Sequence, residues 1–249
     1  MSDEIGITEN VDYSDFEIIP FNQSIDSVKK KYKSLIRFNF LLPFSYRKRS
    51  NFTKIRKLFV PCYLYDASIK GKINFIGADK IMKNQKYEIL HDISIDFNNV
   101  LVSSTGEIND NLISSINDYD FSNIKEYDDS LISNINLLPI DKEEIDVRDM
   151  VENKINNMAL NTVKNNVNHD LKKLDYNDTE IEFSSIKKVL IPVYSLNIKY
   201  HDKDYIFFMN GSTGNSFIET TKSVLSMVIL YVVLFIIFLI ITVGWSILF

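Results

Sequence analysis

LFVPCYLYDASIKGKINF (58–75) and VLIPVYSLNIKYHDKDYIFF (189–208) state the fold in two similar phrases. Each sets Pro-x-Tyr inside a run of β-branched, aliphatic and aromatic residues that leads into a basic turn. That is the signature of a strand entering a hairpin. Superposing Pro61 on Pro192 predicts two similar hairpins, around 58–78 and 189–210. They turn at Lys70-Gly71 and at His201-Asp202, and Asn210-Gly211 supplies a further turn suited to positive φ. A proline lacks the amide that a strand ladder needs, so each belongs at an edge or a bulge.

Working outward, KYEILHDISIDF (86–97) alternates Ile89, His91, Ile93, Ile95 and Phe97 with Glu88, Leu90, Asp92, Ser94 and Asp96. A period of two over that length predicts a half-buried strand. FEIIPF (16–21) and EIEFSS (180–185) are further strand-like runs. Ser24 or Asp26 caps a helix through SVKKKYKSLI, with Val28, Tyr32, Leu35 and Ile36 on one face. Residues 106–139 are acidic and mixed, with short helical pieces around Leu112 and Leu131. Asp141 and Glu144 make an Asp form of the capping box. They open the longest helix before the C-terminal region, around 142–172, striped by Val151, Ile155, Met158, Val163, Val167 and Leu171. The expectation is an α+β fold: antiparallel hairpins packed with one long and several short helices.

Beyond Lys222 the chain has no charged residue, and SVLSMVILYVVLFIIFLIITVGWSILF (223–249) is apolar over 27 residues. A helix of that length rises roughly 40 Å, so the reading is one transmembrane helix over 223–248. Lys187, Lys188, Lys199, Lys203 and Lys222 precede it and no cation follows. The positive-inside bias then predicts a single-pass, tail-anchored protein with a flexible N-terminus (1–14) and a cytoplasmic domain (15–220).

The 249 residues carry a net charge of -5, one cysteine and three histidines. A lone Cys62 excludes an intramolecular disulfide and any multi-cysteine metal site. The wealth of Asn, Ile, Lys and Asp beside scarce Ala reads as codon usage in an AT-rich genome. His91, His169 and His201 show no spacing that converges on a metal, with His169 read as a helix C-terminal residue and His201 as a turn residue. With seven glycines and none in a loop ahead of Lys-Ser/Thr, the chain lacks a phosphate cradle, and GSTG (211–214) reads as a tight turn. No catalytic residue, cofactor or metal is predicted. Cys62, Asp66 and His91 are the side chains an enzyme reading would test first, and their clustering would favour it.

The lead toward function is a run of charge. Between Asp26 and Asp66 every charged residue is positive: Lys29, Lys30, Lys31, Lys33, Arg37, Arg47, Lys48, Arg49, Lys54, Arg56 and Lys57. Phe38, Phe40, Phe44, Tyr46 and Phe52 are interleaved. Three readings fit: a solvated basic face, contact with anionic lipid headgroups, and, least favoured, nucleic-acid binding.

IIPF (18–21), LFVPCYLYDAS (58–68) and LIPVYSLNIKYHDKDYIFFMNGSTG (190–214) together resemble uncharacterised bacterial membrane proteins that pair an N-terminal zinc ribbon with a membrane-anchored α+β domain. The resemblance spans most of residues 16–245 and implies a fold and a topology without a known activity. The paired Cys-x-x-Cys motifs of that ribbon are absent here, so its ligand does not carry over. The reading is a non-enzymatic binding or scaffold module. Its partners would be the lipid bilayer through 223–248, and anionic lipid headgroups or a protein at the basic segment. The alternative is an enzyme, or a subunit of a membrane enzyme complex, with an unrecognised site.

Overall fold

The computed structural model describes residues 12–39, 41–49, 51–52, 54–78, 86–133, 135–166, 171–221 and 224–248. His169, Val167 and the first eleven residues, all given roles above, lie outside them. In chain order the elements are β1 (Glu17–Ile18), α1 (Ile25–Phe38), α2 (Phe44–Arg49), β2 (Asn51–Phe52), β3 (Arg56–Ala78) and β4 (Lys86–Ser103). They continue as α3 (Asp110–Ser115), α4 (Asp129–Ile132), β5 (Asn136–Leu137), α5 (Glu144–Asn166), β6 (Leu171–Tyr200), β7 (Lys203–Asn210), β8 (Ser216–Ile218) and α6 (Val224–Leu248). The class is α+β, dominated by antiparallel sheet. Two compact units form, one from Met1–Ile19, Phe59–Ser114 and Phe121–Ile191, the other from Pro20–Leu58, Ser115–Asp120 and Pro192–Phe249.

In the first unit β3 pairs with β4, from Cys62 opposite Ser103 to Ala78 opposite Lys86. The alternation of 88–97 appears as expected, the set of Ile89 half-buried and the set of Glu88 exposed. Helix α5 lays Val147, Val151, Ile155, Ala159 and Val163, each four residues from the last, onto this sheet. The stripe packs against Tyr63, Tyr65, Ala67, Ile69, Val100 and Val102, then against Ile73 and Phe75. A row at i+4 spacing is one ridge of a helix, so a single line of small and β-branched side chains seats it. Met158, expected in the stripe, is 38% exposed, and Leu171 belongs to β6. Asp141 does not cap α5. The carboxylate of Asp146 instead accepts the Glu143 N–H at 2.9 Å, just ahead of the first turn.

The hairpin expected at Lys70-Gly71 does not form, because β3 continues for 23 residues through that point. Gly71 has φ 142°, and a Cβ added there would lie 2.2 Å from the Asp178 carbonyl oxygen and 2.7 Å from the Thr179 Cα. The glycine answers a close approach of β6 backbone, not a turn. The EIEFSS and KKVLIPVYSLNIKY runs likewise merge into the 30-residue β6.

In the second unit, Ser24 caps α1 by accepting the Ser27 N–H at 3.2 Å. Val28, Tyr32 and Ile36 of α1 are buried against Tyr194, Leu196 and Ile198 of β6 and Phe207 and Met209 of β7. Tyr32 meets the Phe207 ring edge-on at 5.6 Å, and Tyr46 of α2 meets Tyr200 and Tyr205 in the same way. Strands β6 and β7 form the expected hairpin through His201-Asp202, with His201 at φ 54°. Gly211 again serves close approach, since a Cβ would lie 2.5 Å from the Phe21 ring.

The echo between the two Pro-x-Tyr phrases is structural. The residue after each proline pairs with the last residue of the next strand: Cys62 with Ser103, and Val193 with Asn210. The carbonyls of Pro61 and Pro192 accept the following amides, Ser104 at 3.1 Å and Gly211 at 2.8 Å. Two residues before each proline, the Phe59 and Leu190 carbonyls accept the amides of Leu138 and Ile19. Each of those precedes another proline, Pro139 or Pro20. The Ser104 carbonyl then takes the amides of Asp141 and Lys142, and the Gly211 carbonyl those of Asn22 and Gln23. The elements β5–α5 therefore stand to β3–β4 as β1–α1 stand to β6–β7. The chain contains a β–α plus hairpin repeat in which each helix packs on the hairpin of the other copy.

The transmembrane part of the expected fold is corrected. Among the described residues no helix is long and apolar enough to cross a membrane. The tail-anchored topology, and the cytoplasmic placement inferred from it, lose their support with it. Tyr231 to Ile241 are nonetheless all exposed.

Replacing Gly71 by Ala should cost about 3 kcal/mol, seen as a lower urea midpoint, because the obstructing atoms are backbone. Gly106→Ala, where the new carbon would sit 3.4 Å from the movable Asp141 carboxylate, should change stability by less than about 0.5 kcal/mol. Equal midpoints for the two variants would contradict the crossing at Gly71.

Candidate functional site

The basic segment falls wholly in the second unit, and the fold sorts its cations. On α1 the buried row at Val28, Tyr32 and Ile36 leaves Lys30, Lys33 and Arg37 pointing outward at i, i+3 and i+7, with Lys31 on the flank. All four are exposed, as are Lys54 and Arg56. Phe38 at the end of the helix is 67% exposed, with the Arg37 guanidinium 5.8 Å from its ring.

Three other cations are engaged within the unit. The Lys29 ammonium lies 3.6 Å from the Asp26 carboxylate. Arg47 is half-buried and donates to the Leu42 carbonyl at 3.5 Å. Lys57 sits over the rings of Phe21 and Tyr194, at 5.1 and 5.9 Å. Lys48 and Arg49 belong to α2, and their side chains, like those of Phe44 and Phe52 and the whole of Phe40, lie outside the described residues.

The three side chains an enzyme would have needed together are apart. Cys62, Asp66 and the Ile73 that pairs with His91 follow one another along β3. At ~3.3 Å per residue, the steps are roughly 13 Å and 23 Å. Cys62 is fully buried, and burial pushes its thiol pKa well up, Asp110 adding to the rise and Lys154 opposing it. A thiol held protonated is a poor nucleophile. Asp66 marks the bulge where the β3–β4 register shifts between Tyr65 and Ala67. Its carboxylate accepts the amide of Asn99 at 2.8 Å and the hydroxyl of Ser185 at 2.7 Å, while Asn99 takes φ 59°. Those bonds hold its pKa below the ordinary 3.8. His91 is half-buried in the β3–β4 ladder, and His201 is exposed in its turn. Among the described residues no group of three or more His, Cys, Asp or Glu side chains could hold a metal ion.

The sequence reading missed a polar knot and a groove in the first unit. Lys154 of α5 reaches the Leu101 carbonyl at 2.6 Å, the Asp110 carboxylate at 3.1 Å and the Ser114 hydroxyl at 2.9 Å. Asp110 in turn accepts the Ser103 amide. Both members of this ion pair are about one-fifth exposed, at 22% and 19%, so it ties α3 to α5 and the end of β4. Beside it runs a groove of about 930 Å³, lined on α5 by Met150, Asn153, Asn157, Met158 and Asn161. The signal for the groove was present as Asn at four-residue spacing. In so Asn-rich a chain it read as filler.

No family model, curated protein or solved structure matches the chain. The resemblance to zinc-ribbon membrane proteins therefore rests on the three sequence blocks alone.

Two outcomes follow from this geometry. Cys62 should resist a thiol reagent in the native chain and react at the rate of unfolding, since the buried thiol must be exposed and ionised first. Asp66→Ala should lose about 1–2 kcal/mol at neutral pH, with two bonds to a carboxylate removed. A depressed folded pKa gives stability that is present above 3.8 and lost as pH falls through the lower folded value. The gap between wild type and variant should accordingly close in acid, which urea titrations at neutral and acid pH would show.

Proposed function

We propose that the chain is a non-enzymatic binding module whose second unit contacts anionic lipid headgroups. The observation that carries the reading is the outward row of Lys30, Lys33 and Arg37 on α1, with Lys31 beside it and the exposed Phe38 ring at its end. Helix α1 is held by its buried face, so the cations are displayed on a fixed scaffold. Its only acid is Asp26, in the first turn. Each basic side chain near an anionic leaflet contributes about 1 kcal/mol, falling off within a Debye length, and an aromatic ring beside them suits the headgroup level. The same unit exposes the apolar side chains of Tyr231 to Ile241. The reading requires contact with lipid and does not rest on a helix crossing it.

The test compares the full chain with a Lys30→Gln, Lys31→Gln, Lys33→Gln, Arg37→Gln variant in flotation with phosphatidylcholine vesicles, alone or mixed with phosphatidylserine. Wild type should prefer the anionic vesicles, and high salt should remove the preference. The variant should lose roughly a thousandfold of binding to anionic vesicles while matching wild type on neutral ones. Equal binding of wild type to both vesicle types, or an unaltered preference in the variant, would refute the proposal.

A further inference from the structure

The groove beside α5 has a chemistry unlike the basic face, and it belongs to the other unit. Asn153, Asn157 and Asn161 project into it from successive turns, and all three are exposed. Among the described residues none of the three amides has a hydrogen-bond partner. Met150 and Met158 line the same groove, pliable apolar side chains that accept varied neighbours. The one ion pair in the wall, Lys154 with Asp110, is internally satisfied. Lys142, just ahead of α5, lines the same groove and makes no ion pair among the described residues.

A carboxamide presents one acceptor and two donors, the complement of a peptide unit's N–H and C=O. Residues four apart on a helix rise by about 6.0 Å. In an extended chain, alternate residues turn the N–H and C=O of the same residue toward the same side, repeating every ~6.6–6.8 Å. The two repeats differ by less than about 1 Å per step, within the reach of a rotating Asn side chain. Three amides would thus read alternate residues of one extended strand over about five residues. The uncommitted ammonium of Lys142 favours an acidic residue at that end.

We propose that this groove binds an extended polypeptide segment through its main chain, with Asn153, Asn157 and Asn161 as the reading residues and Lys142 selecting an acidic residue at one end. The site does not depend on the lipid reading, and each can fail without the other.

A reader of main chain tolerates varied side chains, so a plain probe suffices: the blocked hexapeptide acetyl-Asp-Thr-Val-Thr-Val-Thr-amide. Titrated into the full-length isotope-labelled chain, it should shift the side-chain amide resonances of the three asparagines. Asn157→Ala should weaken binding about tenfold, and Asn166→Ala, on the same helix outside the groove, should leave it unchanged. The analogue N-methylated at alternate residues, which lacks the donors, should not bind. Absence of shifts at millimolar peptide would overturn the proposal. So would undiminished binding of the methylated analogue, an unaffected Asn157→Ala, or shifts produced by a neutral oligosaccharide such as maltohexaose in place of the peptide.

Discussion

One backbone carbonyl accepting two successive amides closes each half of this fold. The Ser104 oxygen takes the amides of Asp141 and Lys142, and the Gly211 oxygen those of Asn22 and Gln23. Both carbonyls lie just past the end of a hairpin strand, and both amide pairs lie just ahead of a helix. Buried backbone groups must find partners, so this junction fixes where each helix begins relative to the sheet it covers. Everything that displays chemistry follows from it. Seating α1 by Val28, Tyr32 and Ile36 turns Lys30, Lys33 and Arg37 outward. Seating α5 by Val147, Val151 and Ile155 turns Asn153, Asn157 and Asn161 into the groove.

The repeat explains why one scaffold shows two unlike faces. Val28 and Val147 each stand eight residues after the proline that opens their copy, and the buried rows run in step from there. The outward faces are under no such constraint. On α1 that face holds lysine and arginine, while on α5 it holds Glu144, Asp146 and Asp149 early and asparagines later. The packed face keeps its pattern because volume and shape decide it. The solvent face is open to diverge in charge and hydrogen-bonding character.

Much of this was legible in the residues and some was not. The period of two in 86–97, the Ser24 cap and the His201-Asp202 turn each depend on neighbours close in sequence, and each appears as read. Lys70-Gly71 misled because a glycine in a basic context looks the same whether it turns the chain or yields to another strand. Only the position of Asp178, more than a hundred residues away, separates the two. Likewise Met158 fits an apolar stripe by spacing, but its solvent exposure depends on the opposite wall of the groove. Candidate sites fared the same way: the charge run was visible, yet the withdrawal of Lys57 onto Phe21 and Tyr194 and of Arg47 onto Leu42 is a tertiary fact. The apolar composition of 223–249 was plain from the sequence, yet among the described residues no helix is long and apolar enough to cross a membrane.

The exchange of helices between the two copies also sets an order of events during synthesis. Helix α1 leaves the ribosome more than 150 residues ahead of Tyr194 and Phe207, which cover its apolar face. Until then Val28, Tyr32 and Ile36 have no native neighbour from β6 or β7, and the first hairpin in turn waits for α5. Contacts of such long range are slow to close and leave apolar surface open in the interval. The lysine-rich side of α1 then has a second consequence, since it keeps the waiting helix hydrated and repels other copies still on the ribosome. The nascent chain is most exposed to aggregation between the completion of α1 and the arrival of β7.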